Sequence, residues 1–194
     1  MSHQTDRNLT VDETTPWRDG RSASTAADGY VTFEAYLDDP TYDEHTEWVD
    51  GKVVAMHAVN DRHDEFVRWL NVLLGGYVTR RRLGRLLGEP FIFRLTGVKR
   101  GRSPDLMFVA NAHVDRIERM HLAGPPDLAI EVISPGSRTV DRVEKFGEYE
   151  TSGVPEYWII DPEPPGASDA PTMDVFRLNR AGRFDATPFE GGRY

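Results

Sequence analysis

The sequence predicts a mixed α/β fold in which a central β-sheet is flanked by helices. The clearest helix begins near residue 61, where apolar side chains recur at steps of three and four. The stretch Leu128–Ile133 is apolar except for one acid, which is the pattern of a strand covered on both faces. A third signal is Asp50-Gly51, which supplies the positive φ angles of a tight hairpin turn between two strand-like runs.

Length and composition fit one globular domain. The chain has 194 residues, of which 39% are hydrophobic, and this is enough for a sizeable core. Residues 1–29 are rich in Thr, Asp, Ser, Ala and Gly and have no apolar periodicity. We therefore predict a flexible leader over residues 1–29 and a single domain over residues 30–194.

The chain contains no cysteine, which excludes disulfides, zinc–thiolate sites, iron–sulfur clusters and cysteine nucleophiles. Any metal must then be held by oxygen or imidazole ligands. The first residues lack the apolar core of a signal peptide, and no apolar run approaches the roughly 20 residues that span a bilayer. We expect a soluble, cytoplasmic protein with no membrane partner.

The first half of the domain combines helices with one hairpin. Thr32 offers a capping hydroxyl for a short helix that continues to Leu37. The hairpin spans Glu47–Met56. Asn60 or Asp61 can cap the long helix, whose apolar face is predicted to consist of Phe66, Val67, Leu70, Leu73, Leu74, Tyr77 and Val78.

The second half is predicted to contain short strands and one further helix. Apolar blocks between glycines and prolines indicate strands at residues 86–87, 91–93 and 106–109, ahead of the covered strand 128–133. A helix over about residues 140–151 ends at Gly153 and Pro155. Residues 157–160 and 173–178 predict a last strand pair, connected by the Pro- and Gly-rich loop 162–172.

Charge is segregated along the chain. The formal net charge of −9 argues against a nucleic-acid partner, because phosphate backbones attract basic surfaces. Between positions 80 and 102, however, eight bases stand against the single acid Glu89. The stretch is either a solvated helix end and loop or a surface that faces phosphate. Its candidate nucleic-acid contacts are Arg80, Arg81, Arg82, Lys99, Arg100 and Arg102.

Two acids occupy strand positions where a charge needs a partner. Asp105 follows Pro104 and opens an apolar strand, and Glu131 lies within the most hydrophobic strand of the chain. Burying either carboxylate unpaired would cost several kcal/mol, so a cation is their natural partner. Cleaving a phosphodiester bond near neutral pH needs an activated water, neutralisation of the charge on phosphorus and help for the departing alkoxide, which carboxylate-held Mg²⁺ and a nearby ammonium can supply.

A lysine can complete this pair from the next helix. A lysine at position 133 would share the strand face of Glu131, but that position is isoleucine. Asp141, Lys145 and Tyr149 instead recur at steps of four along one face of the following helix. Lys145 could also be an ordinary surface lysine paired with Asp141, and Tyr149 could simply pack against the sheet.

Five motifs in order resemble a known family. They are Trp48-Val49-Asp50-Gly51, Ser103-Pro104-Asp105, the run from Pro126 to Pro135, the set Asp141, Lys145 and Tyr149, and the run from Gly153 to Asp161. Over about residues 31–178 the chain is similar to the Uma2 family of restriction-type endonucleases, a branch of the PD-(D/E)XK nuclease superfamily. The resemblance implies a restriction-endonuclease-like core, with a mixed central sheet flanked by helices.

The resemblance also implies roles for individual residues. Asp105 and Glu131 would bind Mg²⁺ or Mn²⁺, and Lys145 would orient the attacking water or stabilise the pentacovalent phosphate. Glu47 matches the family's early acid, which would bind the metal directly or through water. His63 and Tyr149 match positions near the site, where their roles are accessory, and Asp141 is a further accessory candidate.

From the residues and the resemblance together we expect a Mg²⁺- or Mn²⁺-dependent endonuclease that hydrolyses DNA. A homodimer is expected, because cutting two strands needs two sites. One alternative keeps the fold and abandons the reaction, as a nucleic-acid-binding or regulatory module. Another is a metal-free hydrolase that uses Glu47 and Glu131 as an acid and base pair, although it leaves Lys145 without a role.

Overall fold

A computed structural model describes residues 30–42, 45–56, 58–166 and 170–188. The predicted flexible leader, residues 1–29, lies outside the described residues. Within them, the elements alternate between strands and helices, and the predicted mixed α/β class is confirmed.

The first elements follow the sequence signals closely. Helix α1 is Phe33–Asp38, and the side chain of Thr32 caps it. Strands β1 (Thr46–Val49) and β2 (Lys52–Ala55) form the predicted hairpin, with positive φ at Asp50 (51°) and Gly51 (79°). Helix α2 is Asp61–Arg81, capped by Asn60.

The remaining elements are mostly short strands. Their bounds are β3 Gly84–Gly88, β4 Ile92–Arg94, β5 Arg100–Arg102, β6 Leu106–Ala110, β7 His121–Leu122, β8 Leu128–Val132, β9 Glu156–Asp161, β10 Thr172–Leu178 and β11 Phe184–Thr187. A 3₁₀ helix, Asn111–Arg116, follows β6. Between β8 and β9, a π-helical segment, Val140–Lys145, continues directly into helix α3, Phe146–Ser152.

The strands form two sheets, both of mixed direction. The larger sheet has the order β11-β10-β9-β8-β6-β3, and only its β8–β9 pair is parallel. The smaller sheet has the order β2-β1-β5-β4-β7, in which β4 and β7 are parallel. The sequence predicted neither β5, β7 nor β11, which are two to four residues long.

The register of the larger sheet brings the two predicted acids level with each other. Leu106 of β6 is paired with Ile130 of β8, in antiparallel direction. Asp105, one residue before Leu106, therefore stands beside Glu131, one residue after Ile130. The π-helical segment and α3 connect β8 to its parallel neighbour β9, and this connection carries Lys145 back to the same end of the sheet.

Two apolar clusters hold the larger sheet. One contains the fully buried rings of Phe93, Tyr149 and Tyr157, and the other packs Leu70 of α2 against Ile130. The predicted apolar face of α2 is wider than the face that the core covers. Leu70 and Val78 are buried, but Leu73 and Tyr77 are 52% and 56% exposed.

Candidate active site

A cleft of about 280 Å³ lies at the end of the larger sheet where Asp105 and Glu131 meet. Strands β1, β2, β5 and β8, the start of α2, the residue just before β6 and the π-helical segment all contribute to its wall. The predicted residues that line it are Glu47, His63, Asp105, Glu131, Asp141 and Lys145. Residues from distant parts of the sequence are thus gathered around one space.

Lys145 reaches Glu131 from the helix, as the sequence predicted. Its Nζ lies 2.8 Å from Glu131 Oε2 and 3.1 Å from Asp141 Oδ1. The hydroxyl of Tyr149 donates a hydrogen bond of 2.7 Å to the other oxygen, Glu131 Oε1. All four side chains are buried, so the strand glutamate is fixed by two donors from the helical connection.

Asp105 is fixed by the neighbouring strand and by α2. Its Oδ2 accepts a hydrogen bond of 2.7 Å from the backbone N–H of Val132. Its Oδ1 lies 3.0 Å from Nε2 of His63, which is 6% exposed. Nδ1 of His63 is buried and has no hydrogen-bond partner among the described residues. His63 therefore belongs to the site through its contact with Asp105.

Glu47 lies in the cleft wall within a buried ion-pair group. Its Oε2 accepts a hydrogen bond from Arg102, and its Oε1 accepts one of 3.2 Å from the backbone N–H of Ser103. Arg102 also donates two bonds of 2.8 Å to Glu148 on α3. This group ties the smaller sheet to the helix that carries Lys145.

Burial removes Arg102 from the predicted nucleic-acid contacts. Its side chain is 4% exposed, and its donors are used by Glu47 and Glu148. Arg100 is about one quarter exposed and binds Asp50 and Glu148. Part of the basic stretch therefore neutralises acids within the protein: Arg100 and Arg102 form ion pairs with acids from other parts of the chain.

The other predicted contacts lie on the surface but away from the cleft. Arg80, Arg81 and Arg82 are exposed at the C-terminal end of α2, whereas His63 is in its first turn. At 1.5 Å per residue, about 26 Å of helix separates His63 from Arg80. Lys99 is exposed, and its ammonium lies 5.7 Å from the centre of the Tyr30 ring.

The cleft carries an excess of negative charge. Its wall contains six acids but only two permanent cations, Arg102 and Lys145. The acids are Glu47, Glu89, Asp105, Glu131, Asp141 and Glu144. A phosphate approaching these residues would be repelled unless a further cation compensated them.

Burial and the neighbouring carboxylates shift the pKa values of the ionisable side chains in the cleft. Burial raises the pKa of Glu131 well above its usual range, and Asp141 and Asp105 raise it further against the opposing effect of Lys145. Burial acts to lower the pKa of Lys145, but the surrounding carboxylates, Glu131 first, raise it well above its ordinary value. Lys145 is therefore an ammonium at neutral pH and cannot accept a proton from water.

The pKa values of His63 and Glu89 are also raised. Burial acts to lower the pKa of His63, but the hydrogen bond and charge of Asp105 raise it above its ordinary value. Burial and the charge of Asp105 raise the pKa of Glu89. The sequence did not indicate Glu89 as a cleft residue. Glu89 lies between Gly88 and Pro90, and an acid in that setting is common at ordinary turns.

The family comparison covers most of the chain. The family model described as "Uma2: Putative restriction endonuclease" matches residues 32–193. The chain belongs to the Uma2 family. The match includes Asp105, Glu131 and Lys145 and extends beyond the 31–178 span over which the sequence motifs suggested it.

A solved structure shares the fold of this Uma2 protein. It is the crystal structure titled as a putative nuclease belonging to DUF820 from Anabaena variabilis, with a TM-score of 0.62 and 19% sequence identity. The alignment covers 80% of the present chain and 83% of that chain. None of the curated proteins is significantly similar to this chain. No helix in the described part is both long and apolar enough to cross a membrane.

The donor atoms in the cleft suit a hard divalent cation. They are carboxylate oxygens, the ligands that Mg²⁺ prefers, and Mg²⁺ usually retains several waters when one or two carboxylates hold it. Among residues 30–42, 45–56, 58–166 and 170–188, no three His, Asp or Glu side chains are grouped so as to hold an ion by themselves. Asp105 and Glu131 supply carboxylate oxygens of the kind that such an ion takes, and the excess of acids in the cleft favours a cation.

Replacing Arg102 tests the ion-pair group that positions the cleft wall. Arg102→Leu leaves the buried Glu47 without its cation and leaves Glu148 with Arg100 alone, and we expect the free energy of unfolding to fall by about 3–5 kcal/mol. Arg177→Leu removes an arginine that is 63% exposed and bound to Glu156, so its cost should stay below about 1 kcal/mol. Urea denaturation measures both. Equal losses for the two variants would contradict the role assigned to Arg102.

Proposed function

We propose that this Uma2 protein is a Mg²⁺- or Mn²⁺-dependent endonuclease that hydrolyses DNA phosphodiester bonds. The observation that carries the proposal is the buried contact of Lys145 with Glu131 and Asp141, beside Asp105 in an acid-rich cleft. A structural role alone gives little reason to assemble so many acids around one lysine. The cytoplasm is the proposed location, consistent with a chain that contains no cysteine.

Asp105 and Glu131 are the proposed metal ligands. When bound, the cation supplies positive charge beside the scissile phosphate. Glu47 is proposed as a further ligand that binds the metal directly or through water, and Arg102 and Ser103 hold its carboxylate in the cleft wall. Val132 N–H and His63 hold Asp105 in place, and Tyr149 does the same for Glu131.

Lys145 acts as a fixed ammonium in this proposal. Its raised pKa keeps it charged. Two of its three N–H groups face Glu131 and Asp141, and the third donates a hydrogen bond either to the attacking water or to the phosphate as negative charge develops there. Asp141 is a positioning residue, since its carboxylate lies 3.1 Å from the ammonium that also contacts Glu131. The proton of the water must then leave to another acceptor, such as solvent or the phosphate itself.

DNA contacts are proposed at the exposed part of the basic stretch. Arg80, Arg81, Arg82 and Lys99 can bind backbone phosphates, and Arg100 can contribute its partly exposed edge. Because the arginine triplet lies at the far end of α2, it would bind DNA several base pairs from the cleft of its own chain. It would position the duplex and leave the chemistry to the cleft.

An inactive module of the same fold is the main alternative. Its supporting observation is that both oxygens of Glu131 already have partners within the protein, Lys145 and Tyr149. In that case the cleft would be a stable polar network without hydrolytic activity. The metal-free hydrolase is less well supported, because Glu47 is bound to Arg102 and is not free to serve as an acid or base.

Nicking of supercoiled DNA tests the proposed reaction. Asp105→Asn, Glu131→Gln and Lys145→Met should each reduce the Mg²⁺- or Mn²⁺-dependent rate by at least about 100-fold, since each removes a charge at the reacting phosphate. Asp174→Asn removes a carboxylate that pairs with Arg142 outside the cleft, and it should retain the rate. Equal nicking by all five proteins would refute the assignment, and full activity in EDTA would support the metal-free hydrolase.

The salt dependence of DNA binding tests the arginine triplet. In a Lys145→Met background, replacing Arg80, Arg81 and Arg82 by alanine should weaken binding and reduce the slope of log K against log salt by up to about 3. A control that replaces Arg177, Arg180 and Arg183, which are also exposed, changes the net charge equally. An identical slope for the two triple variants would exclude a specific role for the triplet.

A further inference from the structure

Helix α2 has an apolar surface that its own core does not use. Among the described residues, ten large hydrophobic side chains are exposed, and four of them lie within nine positions of this helix. They are Trp69 (59% exposed), Val72 (77%), Leu73 (52%) and Tyr77 (56%). Single exposed apolar residues are ordinary, but a contiguous group of this kind marks a contact surface.

These side chains form one continuous stripe, which adjoins the buried face of α2 where Tyr77 lies two turns after Leu70. Steps of three and four place them on the same side of the helix, together with an acid at one end and a base at the other. We call this stripe the outer face of α2, and it consists of Glu65, Trp69, Val72, Leu73, Gly76, Tyr77 and Arg80.

The outer face is complementary to itself when two copies run antiparallel. A two-fold axis midway between positions 72 and 73 places Trp69 opposite Gly76 of the other copy. No other part of the chain lies within 4 Å of where a Cβ at Gly76 would be, so there is room there for the indole of Trp69 from the other copy. The same axis places Val72 opposite Leu73. One register therefore matches the largest side chain to the smallest residue.

Charge complementarity supports the same register. Glu65, whose side chain is 66% exposed, comes opposite Arg80 of the other copy. More broadly, the first turn of α2 contains Asp61 and Asp64, and its last turn contains Arg80 and Arg81. An antiparallel pair brings each acidic end to a basic end, and it also opposes the two helix dipoles favourably.

We propose that the outer face of α2 binds a second copy of this chain, forming a homodimer by antiparallel packing of the two α2 helices. In this dimer the C-terminal end of α2 from one copy lies alongside the first turns of α2 from the other, where His63 contacts Asp105. Arg81 and Arg82 of one copy thereby come level with the turn of α2 that carries His63 in its partner, where they would contact DNA that extends from the partner's cleft. This last consequence rests on the proposed nuclease function, whereas the dimer itself does not.

Sedimentation equilibrium without DNA or metal tests the dimer. The unchanged chain should sediment as a dimer at tens of micromolar, and Val72→Glu should weaken the association by at least tenfold, because two carboxylates then meet beside the two-fold axis. Val72 is 77% exposed, so the change should leave the fold intact. Met120→Glu, at another apolar residue that is 47% exposed, is the matched control and should remain dimeric. A monomer, or a dimer that Val72→Glu does not weaken, would overturn the proposal.

Charge reversal tests the register of the two α2 helices and whether the partner on the outer face of α2 is a second copy of the chain. Glu65→Arg should weaken the dimer by placing like charges together, and the double change Glu65→Arg with Arg80→Glu should restore it, because the pair is re-formed in the opposite sense. Rescue is expected only if the partner is a second copy. Failure of the double variant to recover would overturn the proposed register. A confirmed dimer that does not nick DNA would leave this inference standing and refute only the nuclease proposal.

Discussion

The contact of the Lys145 ammonium with Glu131 and Asp141 is the interaction on which the rest of the site depends. All three groups are buried, and none would be tolerated there alone, because isolated charges lose several kcal/mol of hydration on burial. The sheet supplies Glu131, and the π-helical segment returns to it with the other two. The extra width of that segment relative to an α-helix coincides with the point where Asp141 and Lys145 both face inward.

This contact leaves the cleft short of positive charge. The single positive charge of Lys145 can neutralise only one of the two carboxylates that it contacts. Asp105, Glu89 and Glu144 add further acids to the same cleft wall. Arg102 does not reduce this excess of negative charge, because Glu47 and Glu148 already neutralise it. Acid excess and a permanent ammonium together favour a reaction in which a bound cation compensates the negative charge over direct acid–base catalysis.

The sequence predicted the site better than it predicted the surfaces around it. Asp105 and Glu131 could be found because an acid in an apolar strand is rare, and Lys145 followed from helical spacing. The burial of Arg102 could not be found, because its partners lie 55 and 46 positions away and have no local pattern. Periodicity marked Leu73 and Tyr77 as apolar, but it could not separate the side of α2 that meets the core from the side that does not. The strands β5, β7 and β11 were too short to carry a pattern at all.

Calorimetric titration with Mn²⁺ tests the central claim most directly, because it requires neither DNA nor turnover. The unchanged chain should bind Mn²⁺ at the cleft, and Asp105→Ala should abolish that binding, while Asp174→Ala, outside the cleft, should retain it. Unchanged Mn²⁺ binding by Asp105→Ala, or no binding by the unchanged chain, would contradict the account and favour an inactive module of the same fold.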